Sequence, residues 1–272
     1  TRELLHALAF DVRVIGNHDF AWGPSEVLAA ARDPHALVLT ANIAYRGTDP
    51  SGFAARPYGA LQVGCVTLGF VGLTSGPWDS RDRAVAQDFF PEFPSSFLYP
   101  RTLDPILAAH RSEVDLMVAL THIGLDVDRA LAEATPTLDV VLGGHSHTLI
   151  DDALSYVSTT PIVQTGAFAH YAARLDVDVD LVRRAVSGVK YSLQKLDDPT
   201  LLPAPAMQAS VEATLGKYAP EWNKAHGQAK NASTQASIAQ LAARALKETL
   251  ATDAVLLDVR TVWETWAAGP IR

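Results

Sequence analysis

The stretch Val140-Val141-Leu142-Gly143-Gly144-His145-Ser146-His147 decides the reading of this chain. Three apolar residues make a short buried strand, two glycines end it, and two histidines follow with one residue between them. The same construction occurs twice upstream. Val12-Arg13-Val14-Ile15 leads into Gly16-Asn17-His18-Asp19, and Leu116-Met117-Val118-Ala119-Leu120 leads into Thr121-His122-Ile123-Gly124. Strand C-termini are where α/β folds place their ligands, on rigid supports that face a common crevice. Neutral imidazole and a side-chain amide oxygen suit zinc, manganese and iron alike, so three such strand ends predict a metal site. On an extended backbone His145 and His147 fall on one side and face two neighbouring ions. Gly143, Gly144 and Gly16 remove side-chain bulk and let the backbone approach that site closely.

Outward from these loops, short apolar runs alternate with polar, periodic stretches as far as about residue 198, which predicts strands interleaved with helices. The expected strands are Val12–Ile15, Leu37–Asn42, Gly64–Leu73, Leu116–Thr121, Val140–Gly143 and Ile162–Thr165. Tyr171–Asp180 and Val189–Leu196 read as a closing antiparallel pair, because Leu175, Val177 and Val179 alternate with Asp176, Asp178 and Asp180. Helices are expected over Arg2–Leu8, Ser25–Ala31, Thr102–Ser112 and Asp126–Glu133. Such βα units with late hairpins predict an α/β layered sandwich. Pro199, Pro203 and Pro205 mark a linker. Beyond it, helices are expected over Ala206–Tyr218 and Ser237–Thr249, with a strand over Ala254–Asp258. The expected division is a domain over 1–198, a linker and helix over 199–219, and the start of a second domain over 220–272.

The totals exclude several classes. The 272 residues, 48% hydrophobic and 19% charged, are ample for a buried core. A formal net charge of -8 argues against a nucleic-acid polymer or an anionic membrane as partner. A phosphorylated small molecule stays possible, since metal ions supply local positive charge. Cys65 is the single cysteine, so neither an internal disulfide nor a cysteine-built zinc site can form. No run approaches the ~18 apolar residues of a membrane span. The chain carries no signal peptide; it opens inside the expected first helix and closes after a Gly-Pro turn, as a piece cut from a longer protein would.

Gly16-Asn17-His18-Asp19, Thr121-His122-Ile123-Gly124 and Gly143–Thr148 resemble the later signature blocks of the calcineurin-like metallophosphoesterases. Ala7, Phe10 and Asp11, Thr40-Ala41-Asn42-Ile43, Gly69-Phe70-Val71-Gly72-Leu73-Thr74 and Pro161-Ile162-Val163-Gln164-Thr165-Gly166 narrow the resemblance to the bacterial 5′-nucleotidase group. The resemblance implies a four-layer α/β/β/α sandwich followed by the start of a second α/β domain. It implies two divalent metal ions (manganese, zinc or iron) and hydrolysis of phosphate monoesters, nucleotides first. Asn17, His122 and His145 would bind one ion and His147 the other, with His18 acting on the phosphate and Asp19 beside it. A periplasmic or secreted location is implied as well. Two cations about 3.5–4 Å apart that share a water and clamp a phosphate make this chemistry physically sensible.

Three departures from the pattern bear on function. The family's Asp-x-His and Gly-Asp blocks belong upstream of Gly16, where fifteen residues contain neither; truncation is the expected reason, and Asp33-Pro34-His35 imitates the first block only by letter. Ala21 stands where the group carries the Asp that orients the catalytic His, leaving Asp19 as its substitute. In the second domain, Asp258 replaces an Asn, and Trp263 stands where an Arg is usual. Arg260 remains as a candidate substrate-binding residue, and Trp263 with Trp266 as a packing or stacking pair. His170, after the Gln164–Gly166 strand end, is a further candidate to approach the site. Two other readings stay open: a thiosulfohydrolase-like member with the same metal centre, and a non-catalytic binding protein lacking the first metal position.

Overall fold

The computed structural model describes residues 5, 7–47, 52–75, 89–91, 99–151, 154–221, 224, 227–252, 254 and 269–271. Arg260, Trp263 and Trp266 lie outside them, as do most of the expected helix Arg2–Leu8 and the expected strand beyond Ala254. The chain divides into two units, Thr1–Leu202 and Pro203–Arg272.

The strands of the first unit, in chain order, are β1 (Val12–Val14), β2 (Leu37–Leu39), β3 (Ile43–Tyr45), β4 (Tyr58–Val63), β5 (Val66–Thr74), β6 (Phe89–Pro91), β7 (Leu116–His122), β8 (Val140–Leu142), β9 (Ser155–Val157), β10 (Thr160–Val163), β11 (Tyr171–Asp180) and β12 (Ala185–Lys195). Its α-helices are α1 (Pro24–Ala31), α2 (Tyr99–His110) and α3 (Leu125–Ala134). Six strands form one sheet in the order β4-β5-β7-β8-β10-β9. The four inner strands are parallel, and β4 and β9 pair antiparallel at the edges. Near-continuous apolar runs in β5 and β7 follow from burial on both faces, which a parallel sheet requires.

On one face, Leu103 and Leu107 of α2 and Leu131 of α3 pack on Val71, Leu73, Met117, Ala119, Val141 and Ile162. On the other face the parallel pair β1–β2 lies against β5 and β7. Val27 and Ala31 of α1 close that side over Ile15 and Val38. The resulting order of layers is helix, sheet, sheet, helix, as the resemblance implies. Close approach of the two sheets is set at Gly72, where an added Cβ would stand 2.5 Å from Leu39 Cβ and 2.8 Å from its carbonyl carbon.

Several expectations need correcting. Gly64 does not open a strand; with φ +61 it begins the two-residue turn between β4 and β5, a hairpin the sequence reading missed. The strand expected over Leu37–Asn42 stops at Leu39. Asn42, fully buried, then replaces ladder pairing with its side chain, donating to Thr74 O at 2.7 Å and accepting from Thr74 N at 3.0 Å. Asp33, of the Asp-x-His look-alike, is held by Arg13 at 2.8 Å and accepts from His35 N. The hairpin β11–β12 forms in the expected place, with Leu175, Val177 and Val179 partly covered and Asp176 and Asp178 exposed.

The second unit contains helices over Pro205–Tyr218 and Gln235–Leu250, the latter capped by Thr234, whose hydroxyl accepts from Ser237 N. A short antiparallel pair joins Gly227–Ala229 to Gly269–Ile271. Among the described residues no helix is long and apolar enough to cross a membrane.

Candidate metal centre

Because β5, β7, β8 and β10 run parallel, their C-terminal ends share one edge of the sheet. There the chain emerges as Ser75, His122, Gly143 and Gln164. The loop after β1 delivers Asn17 to the same place. Asn17 Oδ1 lies 2.9 Å from His122 Nε2. The His145 ring stands edge-on to His122, with centroids 5.1 Å apart, and its Nδ1 is 3.5 Å from Ser75 Oγ. The fold thus gathers three residues that are 17, 122 and 145 in the sequence.

The His122 ring is wedged between two glycines. A Cβ on Gly16 would stand 3.3 Å from three of its ring atoms, and one on Gly144 would stand 3.2 Å from its Nδ1. Burial, and next the neighbouring His145, push the His122 ring down to about 4, with His18 and His147 adding to the effect. His145 is lowered as well, by burial first and then by His147 and His18. Both imidazoles are therefore neutral near pH 7 and carry a free lone pair.

These atoms fit a cation. With its proton on Nε2, His122 donates to Asn17 Oδ1 at 2.9 Å; with the proton on Nδ1, Nε2 and the amide oxygen would both be available as donors to a cation. The second position is different. His147 is exposed, and its ring lies 5.7 Å from that of Phe168. Among the described residues no three His, Cys, Asp or Glu side chains come together as an ion site. An ion beside His122 and His145 would depend on the Asn17 amide for its third donor.

The backbone of the His145-Ser146-His147 segment corrects another expectation. It is not extended: His145 has φ +81 and His147 φ +58. The left-handed region is costly for residues with a Cβ, and such outliers cluster at functional sites. Ser146 fixes the turn, its hydroxyl accepting from Leu125 N at 3.1 Å and donating to Gln164 Oε1 at 2.6 Å. Gln164, 1% exposed, also accepts from Thr148 N and donates to Gly144 O.

Asp19 accepts from Gly16 N at 2.7 Å, so its carboxylate ties its own loop. Burial raises its pKa, against the lowering effect of that bond, Arg13 and His18. His18 itself is exposed at the mouth of the cluster. His170 lies farther along, 3.7 Å from Asp197 and ring-to-ring with Phe168 at 6.1 Å.

Sequence reasoning did not single out Asp128. It is fully buried on the face of α3 that also carries Leu125, Leu131 and Ala132, so an acid on an apolar stripe was the available signal. Its Oδ1 accepts from Thr121 Oγ1 at 2.6 Å, one residue before His122. Its Oδ2 is buried without a hydrogen-bond partner. An added Cβ on Gly143 would stand 2.1 Å from that oxygen, with Gln164 Nε2 at 3.3 Å on the other side. Gly143→Ala is therefore expected to destabilise the protein by about 1–3 kcal/mol, as overpacked cores do. A thermal melt would register this as a drop of several degrees. An unchanged midpoint would mean that α3 gives way at no cost.

No protein-family model matches the chain. It is 26% identical to an uncharacterized metallophosphoesterase, YunD, of Bacillus subtilis, over 99% of this chain and 57% of that protein. It is 28% identical to the 5′-nucleotidase of Bos taurus over 65% of this chain and 33% of that enzyme. The crystal structure of a 5′-nucleotidase precursor from Thermus thermophilus superposes with a TM-score of 0.78 at 18% identity, over 99% of this chain and 58% of that one. The proteins this chain resembles in sequence and in structure are thus metallophosphoesterases and 5′-nucleotidases. The chain spans a third to somewhat over half of the length of these relatives. The metallophosphoesterase-type α/β sandwich expected from the sequence is the fold observed.

Proposed function

We propose that the chain is the catalytic part of a metal-dependent hydrolase of phosphate monoesters, with 5′-nucleotides the first substrates to try. The observation that carries this is the convergence of Asn17 Oδ1 and His122 Nε2, at 2.9 Å, beside His145. In this reading Asn17, His122 and His145 hold one divalent cation and His147 belongs to a second. Bound ions supply positive charge against the phosphate and lower the pKa of water. The protein's own contribution is positioning. Gly16 and Gly144 fix the His122 ring, and Ser75 steadies His145. His18, exposed next to Asn17, donates to the phosphate or the leaving oxygen, and Asp19 fixes the loop that carries it. A secreted or periplasmic site of action belongs to the same reading.

Two measurements test it. After loading with manganese, elemental analysis of the intact protein, with any upstream ligand blocks included, is expected to find about two metal equivalents; none would sink the reading. A panel of nucleotides, cyclic nucleotides, sugar phosphates and thiosulfonates then tests the bond. Turnover of thiosulfonates alone would transfer the chain to the thiosulfohydrolase reading.

A further inference from the structure

Gln164 follows directly on β10 and is 1% exposed, as deeply buried as the core residue Leu138. A carboxamide is costly to bury unless its polar atoms are paired. Here they are paired with one segment. Oε1 accepts from Ser146 Oγ at 2.6 Å and from Thr148 N at 2.9 Å, and Nε2 donates to Gly144 O at 3.1 Å. The amide cannot be turned round. A backbone N–H only donates and a carbonyl only accepts, so the oxygen must face Thr148 and the nitrogen Gly144.

Residues 144, 146 and 148 alternate with His145 and His147. Holding every second residue from the core side leaves the two histidines facing outward, and both are exposed. The hold works against the backbone's own preference. His145 has φ +81 and His147 φ +58, and Ser146 N donates back to Gly144 O at 3.1 Å, closing a three-residue turn of the rare γ kind over His145. Such strain persists only where the surroundings impose it. The Gly144 carbonyl is shared as well, since it accepts from Gly124 N at 3.0 Å, in the loop that follows His122. One buried amide therefore grips the histidine loop at the point where that loop meets the other.

We propose that Gln164 is a positioning residue of the metal centre, its carboxamide holding residues 144, 146 and 148 from within the core and thereby presenting His145 and His147 as ligands. The inference rests on the metal-dependent hydrolase reading for what the histidines bind. Gln164 touches neither an ion nor a substrate. It acts through the loop, as outer partners that orient metal ligands do.

The test separates positioning from mere stability. In the intact protein, Gln164→Met keeps an unbranched side chain in the core and removes its hydrogen bonds to the loop. Leu107→Ala is the control: Leu107 packs in the core on α2, and its loss should lower the melting temperature at least as much. The first readout needs no metal. Gln164→Met should raise the amide exchange of Thr148 relative to Ile150 by about tenfold, because Ile150 N donates to the backbone carbonyl of residue 164 and keeps its partner. The second is titration with cobalt(II), whose visible absorption reports ligand geometry. Gln164→Met should bind it about 10–100-fold more weakly and with an altered spectrum. Leu107→Ala should match the parent in exchange ratio, affinity and spectrum. Parent-like cobalt binding in Gln164→Met would overturn the assignment, and so would an equal loss in Leu107→Ala. A parent that takes up no cobalt and hydrolyses no ester would count against the proposed function instead; an unchanged exchange ratio would then show that Gln164 does not hold the loop.

Discussion

His122→Ala is expected to reduce phosphomonoester turnover by roughly a hundredfold to a thousandfold, the loss seen when one preorganised polar group at a reacting centre is removed. The side chain has four neighbours that depend on it. Asn17 Oδ1 loses the nitrogen 2.9 Å away. His145 loses the ring it faces at 5.1 Å. Gly16 and Gly144, each spaced by the imidazole, lose what holds their segments apart. In the proposed function the variant also removes one of three donors from the first cation position, so its manganese content should fall with its rate. His122→Asn is the informative companion. It keeps a polar side chain at the position but is too short to reach the same point, so it should recover stability without recovering rate. Wild-type turnover in His122→Ala, with saturating manganese, would remove His122 from the site altogether.

The residues of this cluster were legible because strand ends are legible. Val12–Ile15, Leu116–Leu120 and Val140–Leu142 each read as a buried strand, and whatever follows a parallel strand must emerge at the sheet's C-terminal edge. That argument placed Asn17, His122 and His145 together without a contact having been seen. It could not place the backbone between His145 and His147. The positive φ at both residues is imposed by Ser146, whose hydroxyl is fixed by Leu125 and Gln164, and those come from α3 and the strand end after β10. A conformation set by partners 18 and 21 residues away is not written in its own three residues.

In the fold, the strands β5, β7, β8 and β10 that lead into the site were found, and the edge strands β4 and β9 were not. β4 has a burial pattern with no clean alternation, because it is an edge strand, and the reading passed over it. Its presence changes the meaning of Gly64 from strand to turn. β3 and β9 are three residues each, no shorter than β1, β2 and β8, but they lack the longer expected runs, Val12–Ile15, Leu37–Asn42 and Val140–Gly143, from which those three were read. A layered α/β sandwich was legible because helix and strand periods alternate along the chain, while the four-layer order was what the family resemblance implied.

Asp128→Asn is expected to change how stability depends on pH, by up to about 4 kcal/mol. The carboxyl is buried with only Oδ1 hydrogen-bonded, and burial lifts its pKa from 3.8 to about 7, the Thr121 hydroxyl and the nearby Gln164 amide lowering it only in part. The sign follows from where the proton is. Below pH about 4 the group is protonated in both the folded and the unfolded chain. Between about 4 and 7 the unfolded chain has released the proton and the folded chain keeps it, so stability falls as pH rises. Above about 7 the folded carboxyl ionises too, and the loss is complete at about 4 kcal/mol. Asparagine resembles the neutral acid in size and accepts the Thr121 hydrogen bond without ionising. Urea unfolding of parent and variant from pH 4 to 9 isolates this one group, since every other carboxylate cancels in the difference. The variant should match the parent or fall slightly below it at pH 4 and gain steadily towards pH 8. A difference that does not vary with pH would show that the carboxyl is already ionised in the folded state. The location makes the result bear on function. Asp128 holds Thr121, next to His122, and its free oxygen is the atom Gly143 must leave room for at the start of the histidine loop. The neutral acid is therefore the form expected to fit best between α3 and the loops that carry His122 and His145, and its ionisation would bear on both loops.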